Sequence, residues 1–144
     1  MIVDFAFLAD GAEVANGKIY ILGGGIDTFW TDKEPFIYPK VAFAMRLIFD
    51  VAEIGRTHNL EIQILGEDGA NIQTIGGPLT IPKKSPNLPQ GWQQGIMTVL
   101  NFVNLQLPRF GNYSLNILVN NSNLKSIPLR LAQKVNMLGM QSSS

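Results

Sequence analysis

An all-β chain folded as a two-layer antiparallel β-sandwich is what three features of the sequence predict. Apolar residues alternate with polar ones at period two and rarely recur at the helical period. Compact turn signals separate the alternating runs. The composition, 46% hydrophobic over 144 residues, supplies a core for two layers, since a chain of ~150 residues buries roughly 70% of its unfolded surface.

The elements follow in chain order. Asn16-Gly17 stands between Glu13-Val14 and Lys18–Leu22, a short-hairpin signal because both turn residues tolerate positive φ. Gly23-Gly24-Gly25 follows that strand. A phosphate cradle would need these glycines to open a helix, yet Ile26–Thr31 reads as strand, so a bulge or corner is expected. Val41, Phe43, Met45, Leu47 and Phe49 fill the odd positions of the next run, with Lys40, Arg46 and Asp50 on the other face. Leu60, Ile62 and Ile64 alternate with Glu61 and Gln63, and Glu67-Asp68-Gly69 closes that strand.

A long connection, Ile81–Gly95, carries Pro82, Pro86, Pro89, Gly91 and Gly95, which forbid a regular ladder. In the 96–107 run Leu100 and Phe102 are out of phase with Leu105 and Leu107, so a bulge near Val103-Asn104 is expected to switch the face. Tyr113, Leu115, Ile117 and Val119 form a further strand, joined through Asn120–Asn123 to one carrying Ile127, Leu129 and Leu131. Pro128 has no amide donor, which puts that last strand at a sheet edge there. The expectation is roughly seven to nine strands, Ig- or C2-like in architecture alone. They form one domain over residues 1–133, with a C-terminal tail at 134–144.

Composition narrows the chemistry. With no cysteine there is no disulfide, thiolate metal site or cysteine nucleophile, and a single histidine excludes multi-histidine metal sites. His58 lies at a strand entrance and no Gly-x-Ser-x-Gly elbow is present, so no catalytic residue is assigned. Asp27, Asp32 and Glu34, and likewise Glu67 and Asp68, form no D-x-D cluster and read as solvated loop charges, so neither metal nor cofactor is expected. The net charge is +0, unlike a general nucleic-acid binder. The N-terminus lacks the basic segment of a signal peptide, and no apolar run approaches a membrane span. A cytoplasmic protein without a nucleic-acid or membrane partner is expected.

The aromatics Phe29, Trp30, Phe36 and Tyr38 suit the end of a sandwich, while Trp92, beside Lys83 and Lys84, is the best exposed candidate for a ligand or partner. In the tail, Val135, Met137, Leu138 and Met140 suit an adaptable apolar contact with a neighbouring subunit or with the protein's own edge. Residues 1–68 hold all eleven acids against Lys18, Lys33, Lys40, Arg46 and Arg56, a balance of −6. Residues 69–144 hold Lys83, Lys84, Arg109, Lys125, Arg130 and Lys134 with no acid, a balance of +6. Separate surface patches of this kind would favour self-association that weakens with salt.

The N-terminal segments Asp4–Asp10, Ala12–Gly25 and Asp27-Thr28 resemble the opening of a small, uncharacterised bacterial family of unknown function. Gly111-Asn112-Tyr113 with Ile127-Pro128-Leu129 is similar to its closing hairpin. The resemblance implies a compact bacterial β-sandwich and carries over no catalytic residue. The function expected is a non-enzymatic protein-interaction or assembly module, with a second copy of the chain as one candidate partner. The alternative is a binder or hydrolase of a small or phosphorylated molecule, using the Gly23–Gly25 corner and the Lys83–Trp92 loop.

Overall fold

The computed structural model describes residues 1–83 and 87–135. Its strands are β1 (Ile2–Ala15), β2 (Lys18–Ile26), β3 (Thr28–Thr31), β4 (Phe36–Phe49), β5 (Thr57–Gly66), β6 (Asn71–Thr80), β7 (Gln94–Leu107), β8 (Gly111–Val119) and β9 (Ser122–Gln133). They form a four-stranded sheet, β2-β1-β4-β7, and a five-stranded sheet, β3-β9-β8-β5-β6. One of the sheets curls into a half-barrel, and the whole is sandwich-like. Among the described residues no helix is long and apolar enough to cross a membrane.

The turns behave as their residues dictate. Asn16 and Gly17 (φ 52° and 71°) close β1–β2, and Asn120 and Asn121 (φ 50° and 67°) close β8–β9. Both pairs have the two positive φ values that match the twist of a tight hairpin. Gly25 is the extra residue where β1–β2 slips register, since Leu8 faces Ile26 while Ala9 faces Gly24. The glycine run is thus a bulge within β2, as its sequence context requires.

Two features differ from simple alternation. The pairing of β3 with β9 is parallel, Thr28 opposite Arg130 and Thr31 opposite Gln133, so the sandwich is not wholly antiparallel. β3 reaches only from Arg130 onward, which leaves β9 an open edge at Pro128, where a missing donor costs no ladder bond. The phase switch in β7 falls at Val103-Asn104, with both residues exposed between buried Phe102 and Leu105. Yet β4 and β7 keep register through it, because Tyr38 pairs with Leu105 and Lys40 with Val103. Pro39 and Asn104 (φ 52°) slip out of phase together, so each strand carries its own irregularity.

The core lies between the sheets. Phe43, Met45, Leu47 and Phe102 from one layer meet Ile62, Ile64, Leu115, Ile117 and Leu129 from the other, all nearly or fully buried. Full burial of each such side chain is worth about 1.5–3 kcal/mol. At one end the rings of Phe29, Phe36 and Tyr38 form a cluster with centroids 4.9–5.8 Å apart, as their sequence proximity suggests.

Polar groups tie the connections. The Tyr113 hydroxyl donates to the Arg109 carbonyl at 2.6 Å and accepts from the Arg109 amide at 3.1 Å, a tyrosine corner that holds the β7–β8 crossover. His58 is buried. The Asn120 side-chain amide donates to its Nδ1 at 3.0 Å, which leaves the proton on Nε2 to reach the Glu53 carbonyl at 3.3 Å. Both ring nitrogens are therefore used in joining the β4–β5 and β8–β9 connections.

Candidate functional site

The register of the four-stranded sheet defines a second apolar surface, on the face turned away from the five-stranded sheet. Val41, Phe43, Met45 and Leu47 point into the core, so the alternate residues Ala42, Ala44, Arg46 and Ile48 lie on the other face. Across the ladder, Phe7 pairs with Ala44 and Ala44 with Val99; Phe5 pairs with Arg46 and Arg46 with Met97. Ala42 and Ala44 are 0% exposed although they face outward, because larger neighbours flank them. The Phe5 and Phe7 rings stack at 5.8 Å. Phe5, Phe7, Ile48, Met97 and Val99 all lie outside the core cluster.

The same face continues to the sheet's edges. Leu22 pairs with Gly11 and Tyr20 with Glu13, in step with Ala9 and Phe7. Leu22 is 76% exposed, and Ile2, Tyr20, Ile37 and Val103 are also exposed large hydrophobics. Beyond Ala9 the β1 strand pairs with β2 alone, because its ladder with β4 ends at Ala9–Ala42. The sheet forks there. At the fork the Tyr38 hydroxyl donates to Asp10 Oδ1 at 3.3 Å, and burial, then the Asp10 charge, raises the Tyr38 pKa. Among the described residues one ion pair crosses the apolar face, Arg46 to Asp4 at 2.7 Å. The Arg46 guanidinium lies over Gly95, where a Cβ would sit 2.9 Å from it.

A sheet wet on one side needs polar residues there, whereas one that is apolar on both faces is usually covered on both. The signal was present in the sequence. Val41–Phe49 and Ile96–Val103 are nearly unbroken apolar runs, not strict alternations. Attention to the odd positions of β4 hides what Ala42, Ala44 and Ile48 do.

The residues singled out from the sequence fall elsewhere. Trp30 is half exposed on the outer side of β3, and Val135 follows Lys134, whose amide donates to the Thr31 carbonyl at 2.7 Å. These two share one edge of the five-stranded sheet. Trp92 (64% exposed) and Lys83 lie apart from them, in the β6–β7 connection. Lys84, Met137, Leu138 and Met140 lie outside the described residues. The Gly23–Gly25 corner and the Lys83–Trp92 loop do not share either cleft described: a small one of about 120 Å³ touches Gly25, between Phe7 and Ile127, without that loop. A larger cleft of about 320 Å³ lies between the β5–β6 turn and the β7–β8 corner.

The acidic and basic halves of the sequence do not form separate blocks in space. β7 lies beside β4, and β8 and β9 lie between β5 and β3. Arg130 reaches Asp27 at 3.6 Å across the two halves. Among the described residues no group of three or more His, Cys, Asp or Glu side chains could hold a metal ion.

Among the described residues, nine strands in two sheets, one of them apolar on its second face as well, define a small sandwich-like all-β fold. The chain belongs to the DUF6941 family, a family of unknown function, whose model matches residues 4–132. No curated protein matches the sequence. Among solved structures, a glycosyl hydrolase family 2 member from Bacteroides cellulosilyticus is similar over 66% of this chain at 10% identity, with TM-score 0.34. A β-glucuronidase of glycoside hydrolase family 2 is similar over 67% at 15% identity, with TM-score 0.32. The chain spans only 14% and 11% of those two proteins. Likeness at that level carries no functional argument.

Proposed function

We propose that this protein is a non-enzymatic interaction module that assembles with a second copy of itself through the outer face of its four-stranded sheet. The observation that carries the reading is the apolar character of both faces of β4 and β7, with Ala42 and Ala44 fully buried on the outward side. Covering such a face removes apolar area from water at about 25 cal/mol per Å². β2 offers the same partner an edge strand, since among the described residues nothing pairs with its other side. The cytoplasmic setting expected from the sequence belongs to this proposal.

The test is the mass in solution by sedimentation, for the native chain and for Leu22→Lys and Val103→Lys. Both sites are well exposed, at 76% and 55%, so a charge there leaves the fold intact. The native chain should sediment as an oligomer and each variant as a smaller species. A native monomer at every concentration, or variants of undiminished mass, refutes the reading. Trp92→Ala should leave the mass unchanged; if it alone lowers the mass, the β6–β7 loop is the contact instead.

A further inference from the structure

The larger cleft carries a different chemistry from the sheet face and lies away from it. Glu67 and Asp68 of the β5–β6 turn stand on one side, and Arg109 and Asn112 of the β7–β8 corner on the other. Ile72 and Phe110 give it apolar wall. Its volume of about 320 Å³ is at the small end of the roughly 300–1,000 Å³ usual for ligand pockets.

Opposite charges line this cleft without neutralising one another. Among the described residues Arg109 forms no ion pair, nor do Glu67 and Asp68. The carboxylates are held in place by backbone. Glu67 Oε1 accepts from the Asn112 amide at 2.6 Å, and Asp68 Oδ1 accepts from the Ala70 amide at 3.0 Å. Each leaves its second oxygen for a cation. Arg109, on the other wall of the cleft, carries a guanidinium whose fork of donors suits a carboxylate. The corner that bears it is fixed twice, by the Tyr113 hydroxyl on Arg109 and by Glu34 Oε2 accepting from the Phe110 amide at 2.8 Å.

We propose that this cleft binds a free α-amino acid with an apolar side chain: the ammonium at Glu67 and Asp68, the carboxylate at Arg109, and the side chain against Ile72 and Phe110. The three groups of such a ligand meet three kinds of wall in a space too small for a large molecule. A purely anionic ligand would face the two carboxylates, and a purely cationic one would face the guanidinium. The site stands independently of the sheet-face interface.

The experiment is a titration of the isotope-labelled full chain, followed by amide resonances, with L-leucine and L-phenylalanine. Phenylacetate, phenethylammonium and N-acetyl-L-phenylalanine amide are the comparison probes. Saturable shifts centred on Gly66–Ala70 and Arg109–Tyr113 are expected for the amino acids, with affinity at least about ten-fold weaker for each comparison probe. Arg109→Gln and Asp68→Asn should each weaken amino-acid binding by about ten-fold or more at an unchanged melting temperature. Asn at 68 keeps an oxygen for the Ala70 amide, so the turn survives while the charge is lost. No saturable shift with either amino acid overturns the proposal. Equal affinity for the uncharged amide overturns it too, and that comparison needs no variant.

Discussion

Replacing Gly76 by alanine tests how tightly the central strand β5 limits its neighbour. Gly76 lies in edge strand β6 opposite Glu61, at φ 146°, and a Cβ there would overlap the Leu60 carbonyl oxygen. The Leu60 carbonyl carbon and Glu61 Cα would stand at 2.9 and 3.0 Å. All three are backbone atoms of a strand held on its other side by β8, so relief must come from pushing β6 outward. The adjacent Gly77 is the internal control, because its φ of 156° is equally unfavourable for alanine but its Cβ would meet nothing within 4 Å. Backbone strain alone costs about 1–3 kcal/mol, and forced overpacking adds about 1–3 kcal/mol. Gly77→Ala should therefore lose about 1–3 kcal/mol and Gly76→Ala about 2–6 kcal/mol, against a total stability of about 5–15 kcal/mol. Urea unfolding followed by tryptophan fluorescence separates them. With a slope of about 2 kcal/mol per molar, an extra ~2 kcal/mol moves the midpoint by ~1 M. Equal midpoints, or a lower midpoint for Gly77→Ala, would refute the argument from close approach.

Tyr113→Phe removes the hydroxyl that both donates to and accepts from the Arg109 backbone; a loss of about 1–3 kcal/mol in urea unfolding is expected. For Glu53, burial acts to raise the pKa, but the Asp50 amide at 2.8 Å and the N-terminal ammonium at 3.0 Å outweigh it and bring the carboxyl below the ordinary glutamate value. Because the folded pKa is depressed, this stabilisation is present above the unfolded pKa and lost as pH falls through the folded one. Glu53→Gln should thus flatten the acid limb of a melting-temperature profile, and an unaltered limb counts against it. Self-association through the apolar sheet face should persist in 1 M salt, where the Debye length is ~3 Å. A mass that drops to the monomer there would return the interface to the electrostatic origin suggested by the uneven charge of the two sequence halves.

The strands were legible wherever one residue in two is polar. The runs at Leu60–Ile64, Tyr113–Val119 and Ile127–Leu131 appear as β5, β8 and β9 with the expected side inward. Turn chemistry was legible for a similar reason, since Asn16-Gly17 and Asn120-Asn121 supply the positive φ values themselves. The direction of β3 was not. Four residues carry no sign of which way their partner runs, and that partner lies at the far end of the sequence. The irregularity at Asn104 was visible from its own strand, but Pro39 became its counterpart only through pairing. For the candidate sites, Trp92 drew notice as an exposed aromatic and is exposed, whereas the apolar runs Val41–Phe49 and Ile96–Val103, though visible in the sequence, become one sheet face only when their strands lie side by side. The cleft was hidden for the same reason, because Glu67 and Arg109 meet only through the junction of two connections.

The parallel seam between β3 and β9 has a consequence for the order in which the molecule can be made. Thr28 must wait for Arg130, and a ribosome adding about 5–20 residues per second needs roughly 5–20 s to supply the hundred or so residues between them. During that interval the nascent chain has β1, β2 and β4 for one layer, while the second layer lacks β8 and β9, which separate β3 from β5. Completion of the five-stranded layer thus falls near the end of synthesis. Bicistronic or split versions cut before β8 should yield two fragments that are each incomplete in the five-stranded layer and recover the fold only by joining.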